Sequence, residues 1–166
     1  MKSEAESIPI TGPEDSLEAT LALLHGARRS VHLYTPYMAP QIFNAVSFID
    51  ALRACIAEQP RIRFYMLLPP AADWRLNCRH FWHLAERLSS ALILRTLPTN
   101  EPRERPEFSQ AFMIADETQL LHFVDPYRQS GHFSDTLSSD VRKLLNFHTE
   151  IWEKSIPDPD LRRLQI

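Results

Sequence analysis

Apolar residues recur along the chain with two alternating periods, one helical and one strand-like. Leu17, Leu21 and Leu24 have helical spacing and predict a helix over 15–29. The run from Ile62 to Leu68 is almost continuously apolar, which is typical of a strand buried on both faces. By the same criteria we expect further helices over 44–59, 74–89 and 141–154, and further strands over 31–35 and 91–97. Strands that alternate with helices indicate βαβ units and a parallel sheet core.

The pattern changes after residue 98. Two apolar runs, 110–115 and 119–124, flank Asp116-Glu117-Thr118 and predict an antiparallel hairpin. The segments 99–107 and 125–139 are predicted to be loops. The expected fold class is α/β, a mixed and mainly parallel sheet with helices on both faces in the order β-α-β-α-β-β-β-α. The expected organisation is a disordered N-terminal segment (1–14), one domain (15–155) and a C-terminal tail (156–166).

Composition narrows the functional classes. The chain has 166 residues, 44% of them hydrophobic, which suits one soluble domain. Its formal net charge of -3 argues against nucleic acid and anionic membranes as partners. A local basic patch is the opposing possibility, because several arginines lie near predicted element ends. These are Arg28, Arg29, Arg61, Arg63, Arg75 and Arg79.

The cellular location is predicted from targeting and membrane-spanning patterns that the sequence does not show. The first residues do not have the pattern of a secretory leader, and no apolar run reaches the roughly 20 residues that span a bilayer. Cys55 and Cys78 have no metal-ligand spacing and are expected to be reduced thiols. We therefore expect a cytoplasmic protein without a membrane span.

Two segments carry a resemblance to a known family. The segment Val31–Pro40 reads VHLYTPYMAP, a strand followed by a Pro-Tyr turn, and the predicted hairpin ends at Asp116. In both respects the chain resembles one half of a phospholipase D-like protein, over roughly residues 15–155. The catalytic hairpin of that superfamily carries the motif His-x-Lys-x4-Asp. The matching positions here are Ser109, Ala111 and Asp116.

The resemblance implies a chemistry that these residues do not support. In the family, the histidine attacks the phosphodiester phosphorus and the lysine neutralises the phosphoryl oxygens. Ser109 has no adjacent base and Ala111 carries no charge. A Gly-Ser-x-Asn-type segment usually follows, and Phe123–Pro126 stands in its place. We therefore expect a degenerate half that does not catalyse this reaction and has no cofactor.

Other candidate chemistry comes from the remaining histidines. His122 lies on the second hairpin strand and could form a rearranged site with Asp116 and an arginine from the Arg103/Arg105 loop. His80 and His83 are spaced for a metal, but an exposed, aromatic-rich helix face explains them more simply, so no metal is predicted. Three glycines in the whole chain are too few for a glycine-rich phosphate loop.

The function predicted from the sequence is a non-enzymatic binding or assembly module. Halves of the family pack with their hairpins facing each other, so the resemblance implies a homodimer or a partner domain, for which an acyltransferase is one candidate. A phosphate-bearing ligand is the candidate occupant of the cleft, with Arg103, Arg105 and Tyr37 as binding residues. The alternatives are a phosphodiesterase or nuclease with a rearranged site, and a non-catalytic nucleic-acid binder.

Overall fold

The computed structural model describes residues 7–135 and 138–163. These residues form one eight-stranded sheet with helices packed on it. Its strand order is β1-β7-β6-β5-β2-β3-β4-β8. The strands are β1 (Ser7–Thr11), β2 (Ser30–Tyr34), β3 (Arg63–Leu67), β4 (Leu92–Thr96), β5 (Ala111–Ala115), β6 (Gln119–Asp125), β7 (Ser130–Ser134) and β8 (Ile156–Pro157).

Helices cover both faces of the sheet, as the sequence predicts. The helices are α1 (Gly12–Gly26), α2 (Pro40–Phe43), α3 (Val46–Glu58), α4 (Arg79–Arg87), α5 (Ser139–Lys154) and α6 (Pro159–Arg163). One core cluster joins α1, α3 and α4 to one face, where Leu33 and Phe64 are buried. A second cluster joins α5 to the other face around Phe112 and Phe147. Among the described residues, no helix is long and apolar enough to cross a bilayer.

The sheet is mostly antiparallel, which corrects the expectation of a mainly parallel sheet. Only β2–β3 and β3–β4 pair in parallel among the described strands. The pairs β1–β7, β7–β6, β6–β5, β5–β2 and β4–β8 are antiparallel. The physical reason is the length of the connections, since the short turns that join β5, β6 and β7 cannot support a parallel crossover.

The segment 125–139, predicted to be a loop, contains β7. A side chain at Gly131 would place its Cβ 1.8 Å from the carbonyl oxygen of His122 on β6. Glycine is therefore required for β7 to approach β6 this closely. Residues 136–137 of the predicted loop lie outside the described residues.

Both ends of the described chain also belong to the sheet. The sequence predicts a disordered segment over 1–14, but Ser7–Thr11 form β1 and Gly12–Glu14 begin α1. Residues 1–6 of that segment lie outside the described residues. At the other end, β8 pairs with β4, and the carboxylate of Asp158 accepts a hydrogen bond of 3.1 Å from the amide of Ala71. The tail is therefore packed against the domain over 156–163, and residues 164–166 are not described.

Candidate functional site

The candidate site lies at the edge of the sheet where the parallel strands end, which we call the carboxyl edge. β2, β3 and β4 all end at this edge. β5 begins there, because it runs antiparallel to β2 and pairs Phe112 with Tyr34. In open α/β sheets, ligands bind outside the carboxyl ends of the strands. The two motif positions at the start of the hairpin, Ser109 and Ala111, therefore lie at the edge where a ligand is expected.

The three motif positions do not converge in space. Ser109 is exposed, and its hydroxyl donates a 2.9 Å hydrogen bond to the carbonyl of Pro106. Ala111 is buried. Asp116 lies in the turn at the far end of the hairpin, with a φ of 54°. The nucleophile position is thus engaged locally, and the position of the charged lysine has no charge.

Asp116 has a structural role instead. Its carboxylate accepts hydrogen bonds from the backbone amides of Arg28 at 3.0 Å, Arg29 at 2.6 Å and Ser30 at 3.1 Å. Arg28 and Arg29 precede β2 and Ser30 is its first residue, so the carboxylate ties the hairpin turn to the start of the first parallel strand. The one motif residue that remains is explained by this contact alone.

An apolar cavity occupies the position of the missing lysine, and we call it the motif cavity. It has a volume of about 370 Å³, part of which is open to solvent, and is lined by residues that include Ala111, Leu33, Phe43, Met113, Phe123 and Gln129. Gln129 is only 4% exposed, and its Oε1 has no hydrogen-bond partner among the described residues. Within residues 7–135 and 138–163, no lysine, arginine or histidine lines the cavity. It therefore has no means of neutralising a phosphoryl group.

His122 lies away from Asp116. It pairs with Phe112 on the hairpin, four residues before the Asp116 turn, which corresponds to about 13 Å of strand. Its Nε2 lies 2.9 Å from Oε1 of Gln110, and its ring centroid lies 5.3 Å from that of His132. Burial, reinforced by His132, lowers the pKa of His122 to about 4. His122 is therefore a neutral, packed side chain at neutral pH, and the predicted His122–Asp116 pair is not brought together.

The two loop arginines differ in whether a carboxylate lies close enough to form an ion pair. Arg105 pairs with Glu150 at 2.8 Å and with Glu107 at 3.6 Å, and lies 5.0 Å above the ring of Phe147. Arg103 donates one hydrogen bond of 3.3 Å to the carbonyl of Leu97. Within the described part of the chain, Arg103 has no carboxylate at ion-pair distance. Arg103 is thus the loop cation that remains available to an external anion.

A second cavity, the strand-end cavity, lies beside Arg103. It has a volume of about 350 Å³, part of which is open to solvent, beyond the ends of β2, β3 and β4. Its lining includes Tyr34, Thr35, Leu67, Thr96, Leu97 and Arg103. The hydroxyl of Tyr34 donates a 2.9 Å hydrogen bond to the carbonyl of Phe108. Burial raises the pKa of Tyr34 to about 12, and the charge of Arg103 acts in the opposite direction. Thr96 was not singled out from the sequence, where only its place at the end of an apolar run marks it.

Tyr37, the remaining sequence candidate, is at the carboxyl edge but outside the strand-end cavity. Its ring stacks on that of Tyr127 at 4.9 Å, and it lines the motif cavity. Tyr127 is 63% exposed, and Val124, three residues earlier, is also exposed. Tyr37 therefore contributes to an aromatic surface rather than to an arginine-lined ligand site.

A histidine pair lies between α5 and the sheet, with His148 on α5 and the half-buried His32 on β2. His148 is 1% exposed, donates a 3.0 Å hydrogen bond from Nε2 to the carbonyl of Tyr65 and stacks on Trp152 at 5.5 Å. The ring centroid of His32 lies 5.0 Å away. Burial lowers the pKa of His148 to about 3, with a contribution from His32, and it also lowers the pKa of His32. Both rings are neutral packing residues at neutral pH.

The other sequence candidates are dispersed. Arg28 and Arg29 precede β2 and Arg61 and Arg63 border the start of β3, whereas Arg75 and Arg79 follow β3. The six arginines are therefore divided between opposite edges of the sheet. His80 and His83 are exposed, and Nδ1 of His83 lies 3.4 Å from Glu86. In the described ranges, no three His, Cys, Asp or Glu side chains converge as a metal site would require.

Comparison with known proteins identifies the fold. A family model described as "Domain of unknown function (DUF7931)" matches residues 12–164. No curated protein matches the chain. The phospholipase D family member Nuc from Salmonella typhimurium is similar at 14% identity with a TM-score of 0.64, over 91% of this chain and 96% of that one. NucT from Helicobacter pylori is similar at 12% identity with a TM-score of 0.60, over 91% and 98% of the two chains.

A third similar structure has a title that refers to DNA. The archaeal chromatin protein TrmBL2, whose structure is described as showing a novel mode of DNA binding, is 19% identical with a TM-score of 0.62. The match covers 92% of this chain and 53% of that one, so this chain spans about half the length of the archaeal protein. These similarities establish a phospholipase D-like fold, as the residues of the first core strand and the hairpin indicate.

Proposed function

We propose that this chain, which belongs to the DUF7931 family and has a phospholipase D-like fold, is a non-catalytic binding and assembly module. The observation that carries this proposal is the state of the three motif positions. The hydroxyl of Ser109 is engaged by Pro106, Ala111 faces an apolar cavity, and the carboxylate of Asp116 is engaged by three amides. Without a nucleophile, a base or a cation in that cavity, the scaffold retains binding surfaces but not the family's chemistry.

The surface proposed for assembly is the aromatic pair at the carboxyl edge. Tyr37 and Tyr127 stack on each other, and Tyr127 and Val124 expose most of their area. Exposed aromatic groups at a sheet edge are typical of interfaces, because their burial contributes much apolar area with little loss of side-chain freedom. We propose that a second copy of the chain covers this surface.

The test is the oligomeric state of the purified protein, measured by sedimentation velocity. The wild-type protein is expected to be a dimer, and Tyr127→Glu is expected to be a folded monomer, because the substitution places an unpaired charge in the proposed interface. The matched control is Ile8→Glu, which changes a comparably exposed apolar residue (56%) on β1. A wild-type monomer, or a dimer that Tyr127→Glu leaves intact, contradicts assembly through this surface.

A second candidate function is nucleic-acid binding without catalysis, which the similarity to the archaeal chromatin protein favours. Arg28, Arg29, Arg61 and Arg63 would supply the phosphate contacts from the edge opposite the aromatic pair. The formal net charge of -3 opposes this candidate. Binding of a short DNA duplex that weakens steeply with salt would support it, because released counterions make such affinity salt-dependent.

A further inference from the structure

The strand-end cavity contains a buried hydroxyl without a partner. Thr96 is 5% exposed, and its Oγ1 has no hydrogen-bond partner among the described residues. Nearly all buried polar groups in folded proteins are hydrogen-bonded, because an unpartnered group loses its contacts with water without replacing them. A molecule inside the cavity would supply the missing partner.

The same cavity has a positive charge, that of Arg103, with no carboxylate at ion-pair distance in the described ranges. Arg103 lines it, and the only hydrogen bond described for its guanidinium is the one to the carbonyl of Leu97. A guanidinium has five N–H donors, so most of the donors of Arg103 are not taken up by the described part of the protein. Arg103 lowers the pKa of Tyr34, another lining residue, against the larger effect of burial, which agrees with the position of both side chains in the cavity wall.

Position and lining also favour an anion. The cavity lies beyond the ends of three adjacent strands, β2, β3 and β4, where ligands of open α/β sheets bind. Leu67, Leu97 and Ile151 form apolar walls, which lower the local dielectric and strengthen a charge-assisted hydrogen bond. Its small volume, part of which is open to solvent, suits one small group rather than a long chain.

We propose that the strand-end cavity binds a single oxyanion group, a phosphate or a carboxylate, between the guanidinium of Arg103 and the hydroxyl of Thr96. The proposal rests on the binding function proposed above and assigns the ligand to a site different from the motif cavity. The arginine pairs with the anionic oxygens, and the threonine hydroxyl donates to one of them. The motif cavity, which lacks a cation, has no part in this binding.

Titration of the full chain with inorganic phosphate, and separately with acetate, tests the proposal by NMR chemical-shift changes. The wild-type protein is expected to bind at least one of the two anions saturably, with shifts centred on residues 96–103. Arg103→Gln is expected to weaken binding about tenfold or more, because a charge-assisted hydrogen bond is lost. Thr96→Val, which keeps the shape of the side chain, is expected to weaken it about fivefold.

The control and the outcomes separate this proposal from the assembly role. Arg87→Gln removes an exposed arginine from the end of α4, outside the cavity, and is expected to leave anion binding unchanged. The proposal is overturned if neither anion binds saturably, or if the affinity of Arg103→Gln equals that of wild type. Since Arg103 is exposed, its variant should fold even if Thr96→Val does not. A dimer that binds neither anion would refute this inference alone, whereas a monomer that binds one would refute assembly alone.

Discussion

Replacing Asp116 with alanine is expected to lower the free energy of unfolding by about 3 kcal/mol. The carboxylate accepts three backbone hydrogen bonds, from Arg28, Arg29 and Ser30, and alanine leaves all three amides without this partner. Alanine also tolerates the positive φ of 54° poorly, whereas aspartate and asparagine are enriched in that region. Urea denaturation followed by circular dichroism measures the loss.

Asparagine at position 116 separates the two contributions to this loss. Asp116→Asn retains the tolerance of positive φ and one acceptor oxygen, so its loss of stability should be roughly half that of the alanine variant. A denaturation midpoint for Asp116→Ala equal to that of wild type would show that the carboxylate does not stabilise the turn. The explanation of the retained motif residue would then be wrong.

Acidification is expected to destabilise the protein, because the histidines between α5 and the sheet are held neutral in the folded state. The pKa of His148 falls to about 3 in the folded protein, from an ordinary value of 6.5 that holds in the unfolded chain. The stabilisation is therefore fully present above the unfolded pKa and is lost as the pH falls toward the folded pKa. At about pH 5 the unfolded chain binds this proton and the folded protein does not, which costs about 2 kcal/mol. His32 and His122, whose pKa values are also lowered by burial, act in the same direction.

The variant that tests the pH dependence is His148→Gln, which keeps a donor for the carbonyl of Tyr65 but does not titrate. The difference in unfolding free energy between about pH 7.5 and about pH 5 should be smaller by about 2 kcal/mol in this variant than in wild type. The matched control is His80→Gln, an exposed histidine at the start of α4, which should leave the pH profile unchanged. Equal pH profiles for wild type and His148→Gln would show that His148 does not titrate differently on folding.

The parts of the fold that the sequence predicts are those with a clear period or an unbroken apolar run. The run Ile62–Leu68 predicts a buried strand, and β3 lies within it. β7 was missed, because Ser130–Ser134 contains two serines, one glycine and one histidine, and all five residues are only half-buried. Its place in the sheet depends on the close approach at Gly131, a tertiary contact that no local pattern reveals. The sequence pattern underestimates the antiparallel character of the sheet because it does not reveal β1, β7 and β8, which form three of the five antiparallel pairs.

The candidate site is predictable to the extent that it depends on residue types. The sequence shows directly that Ala111 carries no charge. An alanine at this position leaves the motif cavity with an apolar lining. The role of Asp116 could not be read, because its three amide donors lie 86 to 88 residues earlier in the chain. Arg103 and Arg105 look equivalent in the sequence, and only the positions of Glu107 and Glu150 distinguish them. Thr96 is a candidate because its hydroxyl is buried without a hydrogen-bond partner among the described residues, and this depends on tertiary packing.

Hydrolysis of a chromogenic phosphodiester, bis(4-nitrophenyl) phosphate, by the purified full chain is the most direct test of the central claim. The three motif positions provide neither a nucleophile nor a cation, so product release is expected to equal the buffer blank under conditions in which Salmonella typhimurium Nuc serves as a reference. Sustained turnover that co-purifies with the protein would contradict a non-catalytic role, and its loss in His122→Ala would assign the activity to a rearranged site.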